Sequence, residues 1–314
     1  MSRFTRMTRR AAIACGAAAG LAALPSPAPA APEDGKSIDA HSHVWTPDTD
    51  RFPLVEGRTK QDLVPPSFTD DELMSIARPH GVGRVVLIQH TRYHLFDNTY
   101  LSDVVRRHPQ RFRAVGMIDD FRTGAADTMK ELLPQGFTGF RITPLIRQTP
   151  RETWLRTEGM QAMWKTGAET RQAMCCLIDP QDLPGVDAMC DKFPDTPVVV
   201  DHLARIGTDG QFKDEDLSNL CKLARHKLTY VKVSAFYALG KKKPPYLELV
   251  PVIKRVFEAF GPQRLMWASD SPYQLQGENT YQASISLVRD HLDFLSNEDR
   301  QWLLAKTAER VFFT

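Results

Sequence analysis

Neither acid nor base predominates in this 314-residue sequence: 40 Lys and Arg stand against 38 Asp and Glu, a formal net charge of +2. Part of that small excess lies in the first ten residues, at Arg3, Arg6, Arg9 and Arg10. A chain so balanced has no field to draw nucleic acid or an anionic membrane surface, and neither partner is expected. Cysteine is scarce, at five residues, and no Cys-x-x-Cys pair occurs, which removes the usual structural zinc spacings. The uncharged apolar stretch from Ala11 to Leu24 is too short to span a bilayer permanently. With 42% apolar and 25% charged residues the chain reads as an ordinary globular protein, long enough for one large core.

What the N-terminus does contain is "MTRRAAIACGAAAGLAALPSPAPAAP", with twin arginines at Arg9 and Arg10, the short apolar run, and the small-residue pattern Ala28-Pro29-Ala30. Residues 1–30 are therefore expected to be a twin-arginine-type signal peptide, and an uncleaved anchor is the weaker reading. The remaining 31–314 would be one domain, periplasmic or secreted, with no membrane anchor. It keeps Cys175, Cys176, Cys190 and Cys221, enough for two disulfides in an oxidising compartment. Cys175 and Cys176, however, are adjacent in a strand-like run and point to opposite faces, so buried free thiols are expected.

From residue 38 onward, short runs rich in Val and Ile alternate with longer amphipathic segments. The expected strands are 38–44, 83–90, 111–118, 137–142, 173–179, 197–203, 229–236 and 264–270. The expected helices are 69–78, opened by the capping box Thr69-x-x-Glu72, then 98–107, 123–133, 153–171, 183–193, 214–226, 246–259 and 279–295. Eight such units make a parallel sheet, and they fit a closed (β/α)8 TIM barrel with a C-terminal helix, 296–312, packed outside. A doubly wound open sheet is the alternative, but a Gly-rich phosphate loop often follows its first strand, and here that place holds His41-Ser42-His43. The Pro-rich stretch 51–66 reads as a long first loop able to cover the barrel mouth.

In such a barrel the chemistry lies at the C-terminal ends of the strands. The polar residues there are His41, His43, Gln89, His90, Asp119, Arg141, Asp179, Asp201, His202, Ser234 and Asp270. His41 and His43, two apart, share a strand face and can chelate a divalent ion. Asp201 and His202 interrupt a buried run of valines, where an unpartnered polar group is costly. Asp270 ends the last strand, across the mouth from those imidazoles, as a candidate ligand or general base. Each alone has a structural explanation; together at one rim they point to chemistry.

The segments "IDAHSHVW", "VVVDHLAR", "MWASDSPY" and "LLAKTAERVFF" resemble, in the right order and across nearly the whole of 31–314, the motifs of the amidohydrolase-related family within the amidohydrolase superfamily. The resemblance implies that His41, His43, His202 and Asp270 hold a divalent ion, zinc above all. That superfamily often adds a Lys or Glu on strand four and a His on strand five. Here strand four offers Arg141 and strand five no histidine, so one ion or none is implied, and a binuclear centre is not.

The resemblance is strongest to the lactonase branch, which includes 2-pyrone-4,6-dicarboxylate lactonase and the sugar-acid lactonases. Arg141 with Arg147, and Arg205 three residues after His202, resemble arginines of the pyrone lactonase that grip substrate carboxylates in metal-free hydrolysis. Arginine's rigid fork suits that task.

The expected function is hydrolysis of a carboxylate-bearing lactone or related cyclic ester. Asp270 would take a proton from water, His41, His43 and His202 would stabilise the oxyanion, and Arg141, Arg205 and Arg147 would orient the substrate. The rivals are a zinc-dependent decarboxylase on the same barrel and a non-catalytic carboxylate-binding protein. Tyr237, His90 and His94 are secondary candidates, Lys241–Lys243 read as a solvated loop, and the sequence leaves a homo-oligomer open.

Overall fold

The computed structural model describes residues 36–146, 150–151 and 153–314; the expected signal segment, 1–30, lies outside them. Eight strands run parallel in chain order: β1 (Ser37–Ser42), β2 (Val82–Ile88), β3 (Phe112–Gly116), β4 (Phe137–Ile142), β5 (Ala173–Cys176), β6 (Val198–Val200), β7 (Thr229–Val233) and β8 (Leu265–Trp267). The ring closes just beyond β8, where Asp270 N–H donates to the His41 carbonyl and His43 N–H to the Ser271 carbonyl, both at 2.8 Å. This is the (β/α)8 barrel expected from the alternation.

Helices α1 (Asp70–Ala77), α2 (Thr99–Arg107), α3 (Ala125–Leu132), α4 (Glu158–Thr170), α5 (Leu183–Lys192), α6 (Asp214–Lys222), α7 (Val250–Phe260) and α8 (Tyr281–Asp290) surround it. Thr69 and Glu72 form the anticipated capping box of α1. Strands on average end earlier than their apolar runs. The sixth stops at Val200 because His202, Leu203, Ala204 and Arg205 all take left-handed backbone, with φ of 54°, 53°, 54° and 57°. L-residues visit that region rarely, and four in succession cannot continue a strand.

The C-terminal segment forms α9 (Asn297–Gln301), a π-helical turn at Trp302–Lys306, and α10 (Thr307–Phe312). It lies outside the strand ring, under one end of it. Ala308 and Phe312 join the buried cluster of interior side chains Ile38, Ala40, Val86, Ile88, Val115 and Val199. The guanidiniums of Arg84 and Arg113 lie 4.9 and 5.1 Å from the Phe313 ring, at the starts of β2 and β3. The helix therefore plugs the N-terminal mouth and leaves the other end free for chemistry.

One expectation changes and one holds. The 51–66 loop docks on Tyr93, through Val55 N–H to its carbonyl at 2.7 Å and Val64 N–H to its hydroxyl at 2.9 Å. None of its residues lines the cavity at the barrel mouth. Cys175, Cys176, Cys190 and Cys221 are free thiols, the first three buried.

One buried carboxylate ties the barrel's first strand to its last. Asp39 is fully buried and accepts the Ser269 N–H at 2.9 Å, the His41 N–H at 3.1 Å, and the hydroxyls of Ser42, Ser269 and Tyr281 at 2.8, 2.5 and 2.9 Å. Burial pushes its carboxyl up from the ordinary range, and these donors work against that shift. Replacing one acceptor oxygen by an amide sets a donor against donors. Asp39→Asn is expected to cost about 2–4 kcal/mol, measured by urea unfolding; a loss below about 0.5 kcal/mol would remove Asp39 from this role.

Candidate active site

At the C-terminal end of the strands the rings and carboxylates anticipated from the sequence converge. A register shift in β1 between Asp39 and Ser42 lets Ile38 and Ala40 face the interior cluster while His41 and His43 turn toward the site. His202 and Asp270 both have left-handed backbone, with φ of 54° and 60°. Strain of this kind persists only where surrounding structure holds it, and it collects at functional sites.

Asp270 is the meeting point. Its Oδ1 lies 3.4 Å from both His41 Nε2 and His43 Nε2, and its Oδ2 lies 3.8 Å from His202 Nε2. The Tyr237 hydroxyl donates to Oδ2 at 2.7 Å. Burial alone would raise the Asp270 carboxyl, but the neighbouring imidazoles His202, His43 and His41 outweigh it and hold the group far below the usual range. Tyr237, in turn, is pushed far up by burial and by Asp270, so it stays a phenol.

Beneath this lies a second buried knot. Asp201 is fully buried between Lys232 Nζ at 3.0 Å, an Arg141 terminal nitrogen at 3.3 Å and His41 Nδ1 at 3.6 Å. The same Arg141 nitrogen reaches His41 Nε2 at 2.7 Å, and Lys232 lies 3.2 Å from His41 Nδ1. Burial and the Lys232 charge keep His41 well below the ordinary imidazole range, and burial likewise lowers His202. Lys232 was not anticipated. The signal was there, a lone cation inside the apolar strand "TYVKV", because a buried lysine requires a partner.

The cavity above these groups has a volume of about 330 Å³ and is bounded by His43, His90, Arg141, His202, Tyr237 and Asp270 among others. Arg205 also lines it and is tethered to Asp179 at 2.8 Å, a carboxylate that also holds Arg151 at 2.6 Å. His90 bonds the Tyr273 hydroxyl at 2.7 Å. His94 instead faces the Pro53 carbonyl at 3.3 Å and does not line the cavity, nor do Lys241–Lys243. Arg147 lies outside the described residues. A larger cleft of about 1060 Å³, lined by Ser102, Arg106, Thr128 and Gln135 among others, contains none of these site residues. Burial pushes the Cys175 thiol up to about 12, which removes it as a nucleophile.

His41, His202 and Asp270 form a candidate site for a cation. One ligand atom each from His41, His202 and Asp270 lies within 4.8 Å of the others. His43 approaches the same carboxylate, and its Nδ1 faces the Ile88 carbonyl at 2.9 Å, so that nitrogen carries the proton. Its Nε2 lone pair then points at Asp270, an arrangement that a proton or a divalent ion between them resolves. The charges of Arg141 and Lys232 beside His41 disfavour a second cation there.

A barrel that gathers two β1 histidines, a histidine after β6 and an aspartate after β8 over one cavity defines a hydrolytic barrel enzyme. The amidohydrolase family model matches residues 38–314, and the chain belongs to that family. It is similar to an L-fucono-1,5-lactonase from Burkholderia ambifaria, 26% identical over 236 residues, covering 75% of this chain and 80% of that one. Among solved structures it is similar to a zinc-bound amidohydrolase from Burkholderia multivorans, with a TM-score of 0.75, 21% identity, and 88% of this chain and 99% of that one covered. It is also similar to a probable 2-pyrone-4,6-dicarboxylic acid hydrolase from Acinetobacter baumannii with citric acid bound, with a TM-score of 0.73, 21% identity, and 89% and 100% covered.

The buried imidazoles set the sign of the pH dependence of stability. His41, His90 and His202 are lowered from the ordinary value of 6.5, chiefly by burial. Below that pH the unfolded chain takes up protons that the folded chain refuses, so stability falls as pH falls through this range. Calorimetric melting between pH 7.5 and 5.5 should show a declining midpoint; a flat or rising one would show that these rings are protonated in the folded protein.

Proposed function

We propose that this enzyme opens a carboxylate-bearing lactone or related cyclic ester by attack of water. The observation that carries the reading is the position of Asp270, an ionised carboxylate under a small cavity, shared by three imidazoles and flanked by arginines. Asp270 accepts a proton from water as the water oxygen attacks the lactone carbonyl. The negative charge that develops on the carbonyl oxygen falls within the field of Arg141 and Lys232, both of them buried, where a charge acts more strongly than in water. His202 Nδ1 and the Ser234 hydroxyl share a hydrogen bond across 2.8 Å, which fixes the ring with its Nε2 toward Asp270 and the cavity. Collapse of the tetrahedral intermediate breaks the ring C–O bond, and the proton held by Asp270 passes to the leaving oxygen, yielding a hydroxy acid. Arg205 and Arg141 line the cavity where they can orient the substrate.

The site's chemistry supports a single zinc-type ion on His41, His202 and Asp270, with His43 beside them. Such an ion would polarise the carbonyl and acidify the water.

Asp270→Asn should lower kcat by about 10²–10⁴-fold while leaving the fold and melting cooperativity intact. The assay follows the ring-opened acid and released CO2 together; CO2 as the product would replace the lactonase reading by a decarboxylase. Elemental analysis of the same samples should find no more than one equivalent of zinc per chain, reduced in His202→Ala, and two equivalents would refute the single-ion site.

We also read residues 1–30 as an export signal, which would make the enzyme periplasmic or secreted. Its support is the Arg9-Arg10 pair and the apolar run that follows. A variant with both arginines changed to lysine should be retained in the cytoplasm on fractionation; unchanged export would remove the twin-arginine route.

A further inference from the structure

The cavity's arginines are not equally free. Arg141 gives a terminal nitrogen to His41 and Asp201, and Arg205 is tethered to Asp179. Arg92, exposed in the loop after β2, lines the same cavity and forms no salt bridge among the described residues. Its charge acts to lower His90 and Tyr273, which line the same cavity. A cation that lines a cavity with no ion pair among the described residues is available to a carboxylate brought by the substrate.

The other side of the mouth has a different character. In the ring of eight strands, β2 stands across from β6, which is flanked by β5 and β7. Leu177, after β5, and Leu239, after β7, line the cavity there on either side of His202, Arg205 and Thr208 from the turn after β6, and Leu145 after β4 joins them. Leu145 is 43% exposed, one of few large apolar side chains so uncovered among the described residues, and it faces the cavity's space. Three leucines offer no partner to a hydroxyl, so a polyhydroxylated ring laid against them loses its hydrogen bonds with water and gains none in return. An apolar ring, by contrast, is stabilised there by surface removed from water.

We propose that Arg92 and the wall formed by Leu145, Leu177 and Leu239 constitute a specificity subsite, Arg92 binding the substrate's carboxylate and the leucines its apolar, non-reacting body. The inference rests on the lactone-hydrolase reading and narrows it. The preferred substrate is an anionic lactone with an aromatic or aliphatic frame, not a sugar lactone of the kind named for the curated relative.

The test separates binding from turnover. Benzoate and benzamide, alike in shape and different in charge, are titrated calorimetrically into the full-length protein, into Arg92→Met and Arg92→Lys, and into Leu145→Asn. Wild type should bind benzoate about 10- to 100-fold tighter than benzamide. That preference should collapse in Arg92→Met, survive in part in Arg92→Lys, and persist in Leu145→Asn while both ligands weaken together. In parallel, the ratio of kcat/KM for a carboxylated aryl lactone over L-fucono-1,5-lactone should exceed one in wild type and fall about 10- to 100-fold in Arg92→Met. A benzoate preference that survives Arg92→Met, no benzoate binding to wild type, or a wild-type ratio below one overturns the subsite. Absence of turnover with every lactone overturns the hydrolase reading instead, and the benzoate result then decides the subsite on its own.

Discussion

The buried Asp39 carboxylate is the constraint on which the site depends. It does no chemistry, yet it receives backbone and hydroxyl donors from β1, from the turn after β8 and from α8. Those bonds close the barrel at the seam where its first and last strands meet. His41 and His43 stand on one side of that seam and Asp270 on the other, so their 3.4 Å approaches exist only while the seam is shut. A fold with eight parallel strands has one such junction between chain ends, and here the proposed catalytic constellation straddles it.

Electrostatics then divides the labour by depth. Asp201, Lys232 and Arg141 form a buried knot under His41, and Asp270 with His43, His202 and Tyr237 forms the layer that meets the cavity. In the lower layer the charges of Lys232 and Arg141 are set against the Asp201 carboxylate beneath His41. Phe312 of the C-terminal plug lies 5.6 Å from Lys232 Nζ, so the helix at the closed end of the barrel forms part of the floor beneath the chemistry. This links the two ends of a short barrel more directly than a helix merely packed on its flank would.

Legibility followed physical range. The eight strands were readable because burial on both faces demands runs such as "VVV" and "AMCC", and the first helix because Thr69 and Glu72 cap it locally. His41, His43, His202 and Asp270 were readable because polar residues ending such runs must be satisfied by something. Lys232 obeyed the same rule and was missed, since it lies one turn of the pleat below the strand end where attention falls. The left-handed run from His202 to Arg205 carries no glycine to announce it; only the packing around those residues holds them there.

By itself, then, the sequence determined the barrel, the rim on which its chemistry lies and the family to which the chain belongs, because periodicity, caps and interrupted apolar runs are local signals. Tertiary structure alone decided which charges pair. It placed Arg141 on His41 and Asp201, tethered Arg205 to Asp179, seated Lys232 under the site and left Arg92 lining the cavity with no salt bridge among the described residues. The reason is that an ion pair between residues tens or hundreds of positions apart depends on the closure of the ring, and no local pattern in the chain encodes which partner a side chain will meet.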